Sequence, residues 1–131
     1  MKIFFLFCIV TCFYPFSAQS QVTPEDLVGT WDQSGGSRTP TMIFLDSVRV
    51  KFSYKDRSGS SKSFYYLVNN SNTPVILTVD YKADHKKHRN EYLIQLIDKN
   101  TLKLQVIEKK DRRDHFDDEH PEKVFTLLRR Q

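Results

Sequence analysis

The side chains of this chain that could do chemistry fall into three sets. Two are histidine pairs set among charges, His85-Lys86-Lys87-His88 and the stretch His115 to His120, HFDDEH. Imidazoles together with Asp117, Asp118 and Glu119 are donor types that can hold a divalent metal. A His-x-x-His spacing in a polar, lysine-flanked segment has no helix to fix its geometry, however. These residues read as solvated, and no metal or other cofactor is expected. The third set is Tyr54, Tyr81 and Tyr92 with Phe52 and Leu104, which lie in alternating apolar runs. An apolar wall with a few phenolic hydroxyls at its rim is the composition of a small-molecule pocket. Groups for catalysis are missing. The sequence has no G-x-S-x-G, no phosphate-cradling glycine loop, and no His, Asp and Ser spaced to meet on rigid elements. The chain reads as a binding protein, not an enzyme.

The elements that must carry these residues are strands. Val28 to Gln33 is the first, and seven more strand-like runs follow it: TMIFLD (41–46), SVRVKFSYK (47–55), SFYYLV (63–68), VILTVDY (75–81), EYLIQLI (91–97), TLKLQVIE (101–108) and VFTLLRR (124–130). Val48, Val50, Phe52 and Tyr54 alternate with Arg49, Lys51, Ser53 and Lys55, as in a strand with one buried and one wet face. The expected inward set is Phe52, Tyr54, Leu77, Val79, Tyr81, Tyr92, Ile94, Leu102, Leu104 and Val106. Ahead of the first strand, Thr23 is a good N-cap, Pro24 suits the first helical position, and Glu25 and Asp26 favour the positive end of a helical turn.

Eight strands with hairpin-length junctions give an antiparallel meander, and closure into an up-and-down barrel removes its edges. A β-sandwich is the competing arrangement. The junctions at 46–47, 69–73 and 98–100 are short, whereas those at 34–40, 56–61, 82–90 and 109–122 read as long polar loops. Alternate loops of such a barrel share an end. One end is therefore expected to be tight and plugged by the helical turn, and the other to be an open mouth carrying the four long loops. Tyr54, Tyr81 and Tyr92 are expected near strand ends at that mouth. The 82–90 segment is basic and the 114–122 segment acidic, so the two mouth loops are expected to pair as a soft lid, worth about 0–1 kcal/mol per exposed ion pair, or to meet a protein partner.

The ends and the composition set the compartment. Lys2, the apolar run Ile3 to Val10, Pro15 and the small residues Ala18 and Ser20 read as a secretory signal peptide cut before Gln21. That apolar run is too short for a membrane span, which needs about 20 residues. The expected organisation is a leader over 1–20 and one domain over 21–131, secreted or periplasmic. Both cysteines, Cys8 and Cys12, fall in the leader, so the domain must rest on its core without disulfides. Without Lys2 the 20 basic residues become 19 against 16 acidic ones, a formal charge of +3. Both signs are interspersed, which does not point to nucleic acid.

Leu27-Val28-Gly29-Thr30-Trp31 holds the single tryptophan, with Gly29 and Trp31 on one strand face. G-x-W at the opening of the first strand resembles the lipocalins and the wider calycin group, and the L-x-G-x-W phrase is similar to that of short bacterial lipocalin-like domains. The resemblance implies a barrel that takes a small apolar or amphipathic ligand at its open end. It also implies an arginine of the last strand laid across the tryptophan. Arg129 is the matching position, with Arg130 next if a bulge shifts the register. The biotin-binding avidins open similarly but rely on several tryptophans, so biotin is not expected here. The alternative function is a protein-interaction or inhibitor module with a filled core acting through the loops at 82–90 and 109–122, and the bulk of the inward residues leans that way.

Overall fold

The computed structural model describes residues 21–33, 40–53 and 62–131. Residues 1–20 with Cys8 and Cys12, Tyr54 and the segments 34–39 and 55–61 lie outside the described residues. The first element among the described residues is α1 (Pro24–Leu27), a single turn closed by a capping box. The Thr23 hydroxyl accepts from the Asp26 N–H at 3.3 Å, and the Asp26 carboxylate accepts from the Thr23 N–H at 2.9 Å. Two of the orphan donors of the turn are satisfied in this way.

Eight antiparallel strands then follow: β1 (Gly29–Gln33), β2 (Thr41–Phe44), β3 (Arg49–Ser53), β4 (Ser63–Asn69), β5 (Val75–Ala83), β6 (Lys86–Asp98), β7 (Thr101–Ile107) and β8 (Val124–Arg129). Each pairs with the next in sequence, and β8 returns to β1, closing an up-and-down barrel. The inward face is continuous. Trp31, Phe44, Val50, Leu77, Val79, Ile94, Leu102 and Leu127 are all buried in one cluster, joined by Val22 and Leu27 from the N-terminal turn. Leu27 is fully buried, so α1 plugs the end where the β2–β3, β4–β5 and β6–β7 turns lie. Asn70, in the β4–β5 turn, holds the incoming chain by donating to the Val22 carbonyl at 2.8 Å and accepting from its N–H at 2.9 Å. Among the described residues no helix is long and apolar enough to cross a membrane.

Three expectations are corrected. Residues 82–90 are not a polar loop. β5 and β6 continue as a paired ladder to Ala83–Lys86, closed by the two-residue turn Asp84-His85. Both turn residues have positive φ, 51° and 62°, the backbone that matches strand twist in a tight hairpin. Backbone pairing to β5, rather than an apolar pattern, makes this stretch a strand.

Residues 109–122 are not a lid over the mouth. They fold down the outer wall, where Phe116 and Asp117 are buried. Phe116 packs with Leu93 and Ile107, flanked by Ile76 and Val124. Ile76, Leu93, Gln105 and Val124 form one outer row across β5, β6, β7 and β8, and the strap covers this row, apolar except for Gln105. Asp117 ties the strap in place. Its backbone N–H donates to the Gln105 side chain at 2.8 Å, and its carboxylate accepts from the N–H groups of Glu119 and His120. The third correction concerns Val106, which is 47% exposed although it follows Leu102 and Leu104 in the alternation. It stands beyond the end of β8, because the β7–β8 pairing stops at Gln105–Val124.

Candidate functional site

The plugged end is built around Trp31. Its indole N–H donates to the Leu27 carbonyl at 2.8 Å, which joins the first strand to the helical turn. Arg129 is directly opposite Trp31 in the β1–β8 ladder. Its guanidinium carbon lies 4.3 Å from the indole ring centroid. The same guanidinium donates to the carbonyls of Lys99 at 3.0 Å, Asp26 at 2.6 Å and Val28. Gly29 makes room for it, since a Cβ there would fall 2.8 Å from Arg129 Nη1. Arg130 points to the outer face and makes a two-pronged pair with Asp32, both contacts at 2.8 Å. This assembly joins α1, β1, β8 and the β6–β7 turn.

The opposite end holds the candidate binding groups. Phe52, on β3, stacks at a tilt against Phe64 of β4, with ring centroids 5.9 Å apart. Phe64 meets Tyr81 of β5 edge-on at 5.8 Å. Tyr81 lies parallel to the His88 ring of β6 at 5.2 Å. Four neighbouring strands thus contribute one ring each to a half-buried row above the packed core. The row follows from register, because Val50 faces Phe64 and Tyr81 faces His88, which puts these rings on the inner side with the core residues.

Of the residues singled out for the pocket wall, Phe52 and Tyr81 belong to this row and are bridged by Phe64. Leu104 does not line the mouth: it is 5% exposed within the core, opposite Ile94 and Phe125. Tyr92 is half-buried opposite Leu77 and Val106. It sits midway along the 13-residue β6 rather than at a strand end. At ~3.3 Å per residue, that places it about 13 Å down the strand from His88. Tyr54 lies outside the described residues.

The histidines are dispersed. His85 occupies the hairpin turn, His88 the inner ring row, His115 an exposed contact with Asp114 at 2.8 Å, and His120 a contact with Asp117 at 3.0 Å. Among the described residues no three histidines, cysteines or acids converge as a metal site would require. The expected pairing of the basic and acidic segments is also not formed. Arg89 pairs with Asp80 at 2.7 Å and Arg112 with Glu91 at 2.9 Å, while Arg113 reaches Asp111 and Asp117 within its own segment. Hydrogen bonding from Arg89 holds the Asp80 carboxyl below its ordinary value. For Asp117, burial opposes ionisation, but the contacts of His120 and Arg113 and two backbone N–H groups outweigh it and keep the carboxyl low.

Phe64 and His88 are the members of the row that sequence patterning passes over. SFYYLV is apolar on both faces, so alternation cannot select Phe64. His88 lies in a run of charges whose only strand signal is the pairing capacity of its backbone. Comparison of the chain with protein-family models, with curated proteins and with solved structures finds no match.

Proposed function

We propose that this protein is an exported, lipocalin-like carrier that binds a small apolar or amphipathic molecule at the end of the barrel opposite α1. The observation that carries the reading is the row Phe52–Phe64–Tyr81–His88, four half-buried rings lying above a closed core. Aromatic rings exposed on one side supply contact area for an apolar body, and the Tyr81 hydroxyl and His88 nitrogens supply the few polar groups that orient it. The Trp31–Arg129 pairing at the plugged end is in keeping with the lipocalin resemblance. No group in this row has the nucleophile–base geometry of an enzyme.

A neutral polarity-sensitive dye such as Nile red tests the reading. The expected result is a saturable rise in fluorescence at one dye per barrel and a higher melting temperature, because a ligand that binds only the folded state stabilises it. Phe64→Ala and Tyr81→Ala should each weaken the response. No saturable binding by the intact protein overturns the carrier reading. The second reading, a protein-interaction module, is favoured by the outer face of β4, where Tyr65 and Leu67 are each 68% exposed.

A further inference from the structure

A cut before Gln21, on the exported reading above, makes a glutamine the first residue of the domain. The residue after it is held from both sides. The Val22 N–H donates to Asn70 Oδ1 at 2.9 Å, and the Val22 carbonyl accepts from Asn70 Nδ2 at 2.8 Å. Val22 is 2% exposed and belongs to one core cluster with Leu27 and Trp31. Chain termini are ordered only where something ties them down, and here the tie falls on the second residue of the exported chain. Gln21 itself is exposed and forms one wall of a cleft of about 360 Å³, with Thr73, Pro74, Gln95 and Leu96 among the others. Among the described residues no hydrogen bond engages its carboxamide.

We propose that Gln21 is a modification site, which closes to an N-terminal pyroglutamate once cleavage uncovers it. The assignment rests on the exported reading and adds a covalent step to it. The free α-amine attacks Cδ of its own carboxamide, and the new N–Cδ bond completes a lactam ring. The Cδ–Nε2 bond breaks, and Nε2 leaves as ammonia with the proton given up by the amine. No oxidant, reductant or second substrate is consumed. A terminal amine titrates at about 7.7–8.0, so part of it is the uncharged nucleophile at neutral pH. Amine and carbonyl in one residue also meet at high effective concentration. The reaction uses only the amine and side chain of Gln21, so the Val22 N–H and its bond to Asn70 survive closure. The terminus loses its positive charge next to a buried residue. Asn70 then shields the cap, because removing it means cutting the Gln21–Val22 peptide, whose N–H Asn70 holds. A protease needs that segment locally open.

The whole chain, produced with residues 1–20 and recovered from the secreted fraction, is tested by intact mass and amino-terminal sequencing. The expected species begins at Gln21, is lighter by one ammonia than its encoded sequence and is blocked to Edman degradation. Pyroglutamyl peptidase should unblock the native barrel many times more slowly than the Asn70→Ala variant. A chain that begins at Gln21 with its carboxamide intact and its amine free overturns the cyclisation and leaves the exported reading standing, as does a chain cut at another bond. Recovery of the chain with Met1 in place overturns both. Removal of the ring at equal rates from the native and Asn70→Ala proteins overturns the shielding by Asn70.

Discussion

Arg129 lies over the indole of Trp31, 4.3 Å from guanidinium carbon to ring centroid, and turns all three of its guanidinium nitrogens to backbone carbonyls of the plugged end. The stack places a charge over an aromatic face, worth about 0.5–2 kcal/mol. The three acceptors are the larger structural consequence. They belong to α1, to the residue after it and to the β6–β7 turn, so one side chain closes the barrel seam and ties down its plug.

Trp31→Ala should destabilise by about 3–5 kcal/mol, as truncation of a fully buried aromatic does. Arg129→Ala should cost less. The two together should cost less than their sum, since residues in contact couple. Urea denaturation of both single variants and the double variant measures the coupling. Arg129→Lys should not restore stability, because one ammonium cannot reproduce the planar fork.

Gly29 has φ +133°, where side-chain-bearing residues are strained, and its missing Cβ is the space that Arg129 Nη1 occupies. Gly29→Ala should therefore cost about 1–3 kcal/mol. In an Arg129→Ala background the penalty should shrink toward the backbone component alone, which the same denaturation series reads out.

Phe116 anchors the outer strap against Leu93 and Ile107, with the Lys103 ammonium 4.2 Å from its ring centroid. Phe116→Ala should lose about 1.5–3 kcal/mol of apolar burial. Hydrogen exchange should quicken selectively over residues 109–122. Dye binding at the rim should persist, because the strap covers the outer wall and not the mouth.

The Tyr66 hydroxyl donates to the Asp46 carbonyl at 2.8 Å. Burial, with Asp46 and Glu25 nearby, pushes its pKa up to about 12 from an ordinary 10. Its folded pKa lies above the unfolded one, so the associated stability is whole below pH 10 and is lost as pH rises toward 12. Melting temperatures between pH 9 and 12 should fall for the native protein, and Tyr66→Phe should lack this component of the fall.

The sequence by itself determined the antiparallel strands and the helical turn at the tight end, and the β8–β1 pairing then decided for the barrel over a β-sandwich. Thr23, Pro24 and the two acids write the helical turn in local chemistry. Val50 and Phe52, or Leu102 and Leu104, write their strands by alternation, which suffices wherever one face is buried and the other wet. Only the tertiary structure decided the two features that shape the mouth. The 82–90 stretch carries no apolar period, and its strand state comes from backbone bonds to a partner that sequence patterning does not see. The strap's course along the outer wall depends on Ile76, Leu93 and Ile107, apolar residues on the faces expected to be wet. Each is unremarkable alone, and they become a surface that needs covering only when register sets them side by side. The same register assembles Phe52, Phe64, Tyr81 and His88 from four strands, because local patterning assigns a residue to a face while pairing decides which residues on that face are neighbours.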